Sequence, residues 1–382
     1  MSKHNYPTVL VHGLLGIDEG PYNYINLVYR YFGGFRGDLT KAMRARGYEF
    51  YDPGLGPFTP VWDRVCDLYA YLVGGTVDYG KAHSERYGHA RYGRTYEGVL
   101  KDWGTPGDHE KINILGYSFG GPTVNLLNGL LMHGSEEERA VTPEDELSPL
   151  FTGGKGDLLH CVCTLDGTNN GTKAIDFLGR KTVDLFQMAL NGLIISVGDT
   201  AFIKVLDFKM DQLGLHNDPD HLGGKLRLPK EKHAENLKNV KSDENMFWQM
   251  GTEYATHLAE KYYDVNPSTY YLCYRSVRTH EDKNKNYKPN VNMNPMMVPT
   301  GAMLGVYAPE PNDGIVHLEG QSAPLNLPCA GDFRVADETK PGIWYHMPII
   351  DGDHLTWCGM FINKRAYQNR FQAIIDLCND LD

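Results

Sequence analysis

A serine enclosed by glycines, between an apolar strand and an apolar helix, is the feature that most constrains this chain. The segment "INILGYSFGGPTV", residues 112–124, contains the pattern G-x-S-x-G around Ser118. The turn in this pattern is so tight that only glycine fits two residues on either side of the serine, whose hydroxyl is presented at the end of a sheet. Pro122 follows in the first helical turn, where proline is tolerated. A glycine-rich turn with an idle serine is the simpler interpretation, but the flanking strand and helix favour a nucleophile.

The pattern of apolar segments predicts the fold class. Strand-like runs alternate with amphipathic segments of helical length, which indicates an α/β protein with a mostly parallel sheet and helices on both faces. The predicted strands are Thr8–Val11, Lys111–Gly116, Leu158–Leu165, Thr269–Tyr274 and Trp344–Pro348, and the clearest helices are Pro122–His133 and Asn245–Tyr263. We expect one domain, residues 1–382, with insertions at 50–100 and 173–245.

Composition excludes several classes of function. The formal charge of −11 argues against nucleic acid and anionic membranes as partners. No apolar run is long enough to predict a transmembrane segment. The start "MSKHNYPTV" lacks the apolar region of a signal peptide, which leaves open a cytosolic protein or a mature form. Seven cysteines without a C-x-x-C pair predict free thiols.

A nucleophilic serine needs a base and an acid. In folds with this turn they follow along the chain in the order serine, acid, histidine. His354, in "IIDGDHLTW", comes after a strand-like segment and is the base that we predict. Asp313, in the turn-rich "PEPNDGIVHLEG", is the predicted acid, and Asp166, after "CVCTL", is the alternative.

The first strand leads into a loop that can complete such a site. In "YPTVLVHGLLG", Gly13 lets the backbone approach a substrate closely. We expect the backbone N–H groups of Leu14 and Phe119 to hold the oxyanion that forms when serine attacks a carbonyl. His12 is then an organiser of the loop and not the base.

A further group of chemically active residues lies in "VWDRVCDLYAYLVGGTVDYGKAHSERYGHARYGRTY". It contains Asp63, His83 and His89. The two histidines are six residues apart and do not share a helix face, so as metal ligands they would lie on loops, which zinc accepts. From the residues alone, a pair of solvent-exposed histidines is the favoured interpretation.

These segments together resemble the zinc-containing lipases of thermoalkalophilic bacilli and of staphylococci. The similarity extends over nearly the whole chain, and its most specific part is residues 71–96. The matching segments, with x at positions that differ, are "YPTVLVHG", "WDR", "LVGGTVDYGxAH", "GHARxGRTY", "SPLFxGG", "DFKxDQxGL", "NDGIV" and "DHL". The resemblance implies an α/β-hydrolase fold with a helical lid and a zinc-bearing subdomain, here residues 173–245 and 50–100.

The resemblance also assigns residues. Its catalytic triad falls on Ser118, Asp313 and His354, in agreement with the prediction above. Its zinc ligands fall on four residues, namely Asp63, His83, His89 and Asp211. Two aspartates and two histidines fill a tetrahedral site and leave no open position, which implies a structural Zn²⁺. "TVDLFQMALNGLIISVG", residues 182–198, is the lid candidate, with a plain core helix as the alternative.

Departures from the family have consequences. Gly116, Phe119 and Leu14 stand where the family usually has alanine, glutamine and phenylalanine, which changes the shape and polarity of the pocket. Family members that bind calcium use a glutamate two residues after the catalytic histidine and a later Asp-Pro pair. Thr356 and the apolar 361–362 pair replace them here, so we expect no calcium at the His354 loop and packing by Trp357, Met360 and Phe361 instead.

The predicted function is that of a secreted, monomeric serine hydrolase of carboxylic esters. Expected substrates are triacylglycerols or shorter acyl esters, met at an oil–water or polymer surface, with polyesters plausible if the lid is reduced. One alternative is a metallohydrolase with zinc as the catalyst, which four protein ligands argue against. The other is a non-catalytic binding protein on a hydrolase scaffold, which an intact triad argues against.

Overall fold

The computed structural model describes residues 4–16, 29–35, 37–107, 109–198, 209–210, 212, 243–360 and 362–382. A seven-stranded sheet runs through its centre in the order β13-β14-β9-β8-β7-β1-β4, and every neighbouring pair is parallel. Its strands are β1 (Thr8–Val11), β4 (Phe50–Tyr51), β7 (Ile112–Tyr117), β8 (Leu159–Leu165), β9 (Tyr270–Tyr274), β13 (Cys329–Asp332) and β14 (Trp344–His346). The prediction of a mostly parallel sheet is confirmed.

The described residues also form four two-stranded sheets outside this core. Three are antiparallel, namely β2 with β3, β5 with β6 and β11 with β12, and β10 pairs with β15 in parallel. Their bounds are β2 (Tyr29–Arg30), β3 (Gly34–Phe35), β5 (Gly75–Asp78), β6 (Tyr92–Tyr96), β10 (Ser276–Val277), β11 (Thr279–Glu281), β12 (Tyr287–Pro289) and β15 (Ile350–Asp351).

Helices cover both faces of the central sheet. They are α1 (Leu39–Arg44), α2 (Val61–Val73), α3 (Lys81–Tyr87), α4 (Gly120–His133), α5 (Glu136–Val141), α6 (Lys173–Gly198), α7 (Met246–Gln249), α8 (Thr252–Tyr262), α9 (Val298–Tyr307), α10 (Leu318–Gln321) and α11 (Lys364–Asp380). Side chains alternate along a strand, so Ile114 of β7 joins the core under α2 and α4, whereas Leu115 joins the core under α1 and α11. The central strands β1, β7, β8 and β9 are buried along their whole length because both faces are covered.

The segment 245–263, predicted as one helix, is two helices. The break falls at Gly251, which precedes α8 in an extended conformation. The start of α6 occupies the gap: Thr172 N donates to Met250 O at 2.7 Å, and Thr252 N donates to an Asp176 carboxylate oxygen at 3.1 Å. These hydrogen bonds satisfy backbone groups that the break leaves without helical partners. The spacing of apolar residues carries no information about such bonds, so it could not predict the break.

The two expected insertions differ in how far the structure describes them. Residues 50–51 form the edge strand β4, and α2 packs against α4 in the main core, so part of segment 50–100 belongs to the central fold. Of segment 173–245, α6 is described, with a kink at Gly179, whereas most of 199–242 lies outside the described residues. None of the described helices is both long and apolar enough to cross a membrane. All seven cysteines are described and are free thiols.

Candidate active site

The turn after β7 presents Ser118 as the pattern predicts. β7 ends at Tyr117, α4 begins at Gly120, and Ser118 between them has a left-handed φ of 55°. A Cβ on Gly116 would lie 2.4 Å from the carbonyl oxygen of Gly120, and one on Gly120 would lie 2.3 Å from the carbonyl oxygen of Val11. Because no side chain fits at such distances, both glycines are required for the helix to start so close to the sheet.

Three residues distant in sequence meet at this turn. His354 Nε2 lies 2.8 Å from Ser118 Oγ, and His354 Nδ1 lies 2.7 Å from Asp313 Oδ2. All three side chains are buried, with Ser118 the most accessible at 7%. The two distances allow a proton to pass from the serine to the imidazole while the carboxylate holds the opposite ring nitrogen.

Asp313 is held rigidly by its own loop. Its Oδ1 accepts hydrogen bonds from the backbone N–H groups of Ile315 at 2.9 Å and Val316 at 2.7 Å, which leaves Oδ2 for the histidine. The backbone N–H of His354 donates to the carbonyl of Asp313 at 2.9 Å and ties the two loops together. Burial disfavours the imidazolium, but the Asp313 carboxylate outweighs burial and raises the pKa of His354 above its ordinary value.

Asp166, the alternative acid, is not the partner of His354 in this structure. It follows β8 and is fully buried, and Asp313 makes the hydrogen bond to the imidazole. Asp166 nevertheless belongs to the same cluster, since one oxygen from each aspartate and one ring nitrogen of His354 lie within 4.8 Å of one another.

The loop after β1 passes directly against the nucleophile. A Cβ on Gly13 would lie 2.6 Å from Ser118 Cβ and 3.0 Å from Ser118 Oγ. Leu14 comes next, with its carbonyl fixed by the hydroxyl of Tyr31 at 2.9 Å, and Phe119 begins the turn into α4 beside the serine. The structure therefore brings both predicted oxyanion-binding residues close to Ser118.

His12 organises this loop. Its Nε2 accepts the backbone N–H of Leu55 at 2.8 Å, so Nδ1 carries the hydrogen and donates to the carbonyl of Gly13 at 2.7 Å. Burial, followed by the nearby Arg64, lowers the pKa of His12 well below its ordinary value, which keeps the ring neutral.

Arg64 is a site residue that the sequence analysis did not identify. It is fully buried on α2 and donates to the carbonyl of His12, to the carbonyl of Gly56 at 3.0 Å and to Thr123 Oγ1 at 3.2 Å. It thereby joins the loop after β1 to the helix that follows Ser118. An arginine inside the apolar helix sequence "VWDRVCDLYAYLV" was the available signal, since a buried charge requires partners.

Asp63, His83 and His89 form a group that could hold a metal ion. One ligand atom from each lies within 4.8 Å of the others. His83 Nε2 is 3.2 Å from Asp63 Oδ1. His89 Nδ1 donates to the carbonyl of Ala90 at 2.9 Å, which leaves Nε2 with a lone pair, buried and without a hydrogen-bond partner among the described residues. An orphaned buried nitrogen beside a carboxylate fits a metal site and contradicts the interpretation as an exposed histidine pair.

The charges of this group suit a cation. Burial alone would raise the pKa of Asp63, but His89 and His83 outweigh it and the net pKa is lowered. The predicted fourth ligand, Asp211, lies outside the described residues. Its neighbour Gln212 reaches the group, since Gln212 Nε2 donates to Asp63 Oδ2 at 2.7 Å.

The loop after His354 is held by packing where the structure describes it. Trp357 is fully buried and lies edge-on to Tyr274 and Phe371, with ring centroids 5.9 Å apart in each case. Met360 packs against the same core, and Phe361 lies outside the described residues.

Helix α6 is only partly buried. Val183 points into the core, but Leu185 and Phe186 are 64% and 53% exposed. A helix wholly inside the core would not expose two large apolar side chains in succession, so this part of the lid candidate is a surface helix.

Residues 4–381 match the family model described as "Lipase-like, C-terminal domain". A lipase of Staphylococcus epidermidis is 33% identical over 366 residues, which cover 94% of this chain and 50% of that protein. The chain thus spans about half the length of this relative.

Two solved structures share the fold over nearly all of the chain. Staphylococcus hyicus lipase has a TM-score of 0.84 and 29% identity, covering 100% of this chain and 97% of that one. EstA from Clostridium botulinum has a TM-score of 0.79 and 32% identity, covering 99% of this chain and 88% of that one. The resemblance to staphylococcal lipases and the predicted α/β-hydrolase fold are confirmed, and the chain belongs to the lipase family represented by this C-terminal domain.

Proposed function

We propose that the chain is a serine hydrolase of carboxylic esters that works through an acyl-enzyme. The observation that carries the proposal is the continuous hydrogen-bonded series from Ser118 to His354 to Asp313, at 2.8 and 2.7 Å. Membership of a lipase family and the lipase and esterase names of its relatives support the same chemistry.

We infer one step of the reaction for each of these residues. Ser118 Oγ attacks the ester carbonyl carbon while His354 Nε2 takes its proton, and Asp313 stabilises the imidazolium that results. The backbone N–H groups of Leu14 and Phe119 hold the tetrahedral oxyanion. Collapse of this intermediate expels the alcohol, which receives the proton from His354. A water molecule, deprotonated by His354, then releases the acid from Ser118.

The substrate class follows from the surface around α6. Phe177, Leu185 and Phe186 are each at least half exposed, which supports contact with a water-insoluble ester at an oil–water or polymer surface. We infer triacylglycerols or shorter acyl esters as substrates, with polyesters as a further class. An extracellular location, a monomeric state and the absence of nucleic-acid partners are inferred from the family resemblance and the charge of −11.

A structural Zn²⁺ is proposed at the second site. Asp63, His83 and His89 would hold it together with Asp211, and neutral imidazoles with carboxylates suit this metal. Bound there, the ion would contribute its binding free energy to folding. The hydrolytic steps use none of these residues.

Covalent labelling separates this proposal from its alternatives. Wild-type protein should capture one equivalent of a fluorophosphonate at Ser118 and hydrolyse p-nitrophenyl esters. Ser118→Ala should lose both properties while keeping its melting temperature, with at least a thousandfold loss of kcat, because the triad acts as one unit. A metallohydrolase would keep its activity in this variant and lose it on chelation. A binding protein would show no turnover before the substitution.

A chain-length series of p-nitrophenyl esters, with a triglyceride emulsion and a polyester film beside it, defines the substrate. Activity that rises on the emulsion or the film supports an interfacial substrate. Activity confined to soluble short-chain esters contradicts it.

A further inference from the structure

A second carboxyl group lies beside the Asp313–His354 pair, and the mechanism above does not use it. Asp166 is fully buried, and one of its oxygens lies within 4.8 Å of both an Asp313 oxygen and a ring nitrogen of His354. This cluster of described residues therefore contains two buried aspartates and one histidine.

The sheet places Asp166 there. β8 runs between the nucleophile strand β7 and strand β9, and its hydrogen bonding continues beyond its last residue. Ser118 N donates to Leu165 O and Asp166 N donates to Tyr274 O, both at 3.0 Å. Asp166 is thus the first residue past the carboxyl end of β8, at the same edge as Ser118.

The local conformation of Asp166 is unfavourable. Its φ of 45° is left-handed, which L-residues with a side chain adopt at a cost. Among the described non-glycine residues, Ser118 is the only other one directly after a central strand with such a φ. Backbone strain of this kind concentrates at functional sites.

The carboxyl group is also poorly satisfied. Neither oxygen has a hydrogen-bond partner among the residues described, although the Trp357 indole N–H and the Ser276 hydroxyl are near enough to favour its charged form. The buried Asp353 differs, because its oxygens accept the backbone N–H groups of Leu355 at 3.2 Å and Asn294 at 2.9 Å. Asp353 therefore has a structural role, whereas burying the poorly satisfied carboxyl group of Asp166 costs stability.

Its surroundings set its charge. Burial and then the negative charge of Asp313 raise the pKa of Asp166 well above its ordinary value, which keeps it protonated beside an ionised Asp313. Among the described residues, His354 and Arg370 are cationic groups near it, and both favour its carboxylate. The Tyr117 hydroxyl and the Cys358 thiol, which also lie near Asp166, have raised pKa values and stay neutral.

We propose that Asp166 is a reserve acid for His354: it keeps its proton while Asp313 carries the charge, and it ionises to stabilise the imidazolium when Asp313 cannot. It acts through His354 and is a positioning residue. The inference rests on the proposed hydrolase mechanism. It predicts that the two aspartates substitute for each other in part.

A double-mutant cycle measures this substitution as kcat/KM for a p-nitrophenyl ester. We expect Asp313→Asn to lose about 100-fold, less than the roughly 10⁴-fold known when a triad acid without a reserve becomes an amide. Asp166→Asn should lose about threefold and the double variant about 10⁴-fold, well beyond the roughly 300-fold product of independent effects.

The pH profile supplies a readout that a merely structural role would not move. In Asp313→Asn, Asp166 should release its proton to solvent as the pH rises, because the neighbouring negative charge is gone. The activity of this variant should therefore show a second rise at higher pH, absent from the double variant and from the wild type.

Asp353→Asn in the Asp313→Asn background is the matched control. The loss of kcat/KM in this control variant should equal the product of the losses in the two single variants. A double variant no worse than the product of the single losses would overturn the proposal. A 10⁴-fold loss in Asp313→Asn alone would also overturn it, as would a pH profile of Asp313→Asn with a single rise. Both of these tests use the single variant and do not depend on the folding of the double variant. Wild-type activity in Asp313→Asn would instead refute the triad itself, and melting temperatures identify any variant that is unfolded.

Discussion

Replacing Gly13 by alanine places a methyl group against the nucleophile. The added Cβ would lie 2.6 Å from Ser118 Cβ, about 0.8 Å short of ordinary contact at 3.4 Å. The carbonyl oxygen of Tyr117, at 3.1 Å, prevents the methyl group from moving aside. Either the loop that carries Leu14 or the turn that carries Ser118 must shift by most of that 0.8 Å.

Such a shift is large for catalysis and small for folding. A misplacement of about 1 Å costs on the order of 100-fold in rate, equivalent to about 2.7 kcal/mol of transition-state stabilisation. Overpacking of one methyl group costs about 1–3 kcal/mol of the free energy of unfolding. We therefore expect Gly13→Ala to remain folded at room temperature with kcat for a p-nitrophenyl ester lowered about 100-fold.

Gly47→Ala is the matched control. Gly47 has a φ of 90° and no atom within 4 Å of an added Cβ, so alanine there introduces strain of roughly 1–2 kcal/mol without touching the site. It should lower the melting temperature and leave kcat unchanged. A Gly13→Ala protein that keeps more than a third of the wild-type kcat would refute the close approach of this loop to Ser118.

Three further predictions concern pH and metals. Asp313 raises the pKa of His354 above its ordinary value of 6.5 against the effect of burial, and only the neutral ring accepts a proton. We therefore expect kcat/KM to fall on acidification with a midpoint above pH 6.5. A midpoint below pH 6.5 would contradict the assignment of His354 as the base. One equivalent of zinc should copurify, and His83→Ala should lower the melting temperature more than the activity at room temperature. A metal-free protein with the same melting temperature as the zinc-bound protein would refute a structural role of zinc. Millimolar calcium should leave the melting temperature of zinc-restored protein unchanged, because Thr356 and Ile362 replace ligands of the calcium-binding relatives; a rise of several degrees would show that other oxygens bind it.

The sequence predicts the central strands closely because their signal is strong. Buried parallel strands are continuous apolar runs, so β1 was predicted to the residue and β7, β8 and β9 to within one residue at each end. The edge strands β4 and β13 were not predicted, since one has only two residues and the other, "CAGD", is largely exposed. Edge strands depend on pairing with a neighbour more than on their own composition.

The residues of the candidate site also differ in how well the sequence predicts them. Ser118 could be predicted because its function requires a local backbone pattern, and His354 and Asp313 because the order of strands restricts the choice. Asp211 came only from family resemblance, since ligation leaves no local signature in "DFKMDQLGL". Arg64 contacts residues that are distant in sequence, and so does Asp166, which lies near His354. Such contacts exist only in the folded chain and have no local pattern in the sequence.

The distance along the chain between the partners in the site has a consequence for folding. Ser118 and His354 are 236 residues apart, and Asn113 of β7 bonds Asn379 of α11 across 266 residues at 2.7 Å. Closing such a long loop lowers the entropy of the chain before the contact stabilises the fold, so contacts of this range form late and slowly. The hydrogen bonds within helices α4 and α8 are local, but a competent nucleophile requires the His354 loop, 236 residues beyond Ser118, to be in position. On refolding, far-UV circular dichroism will therefore recover before hydrolysis does, and the return of turnover marks the final step of assembly.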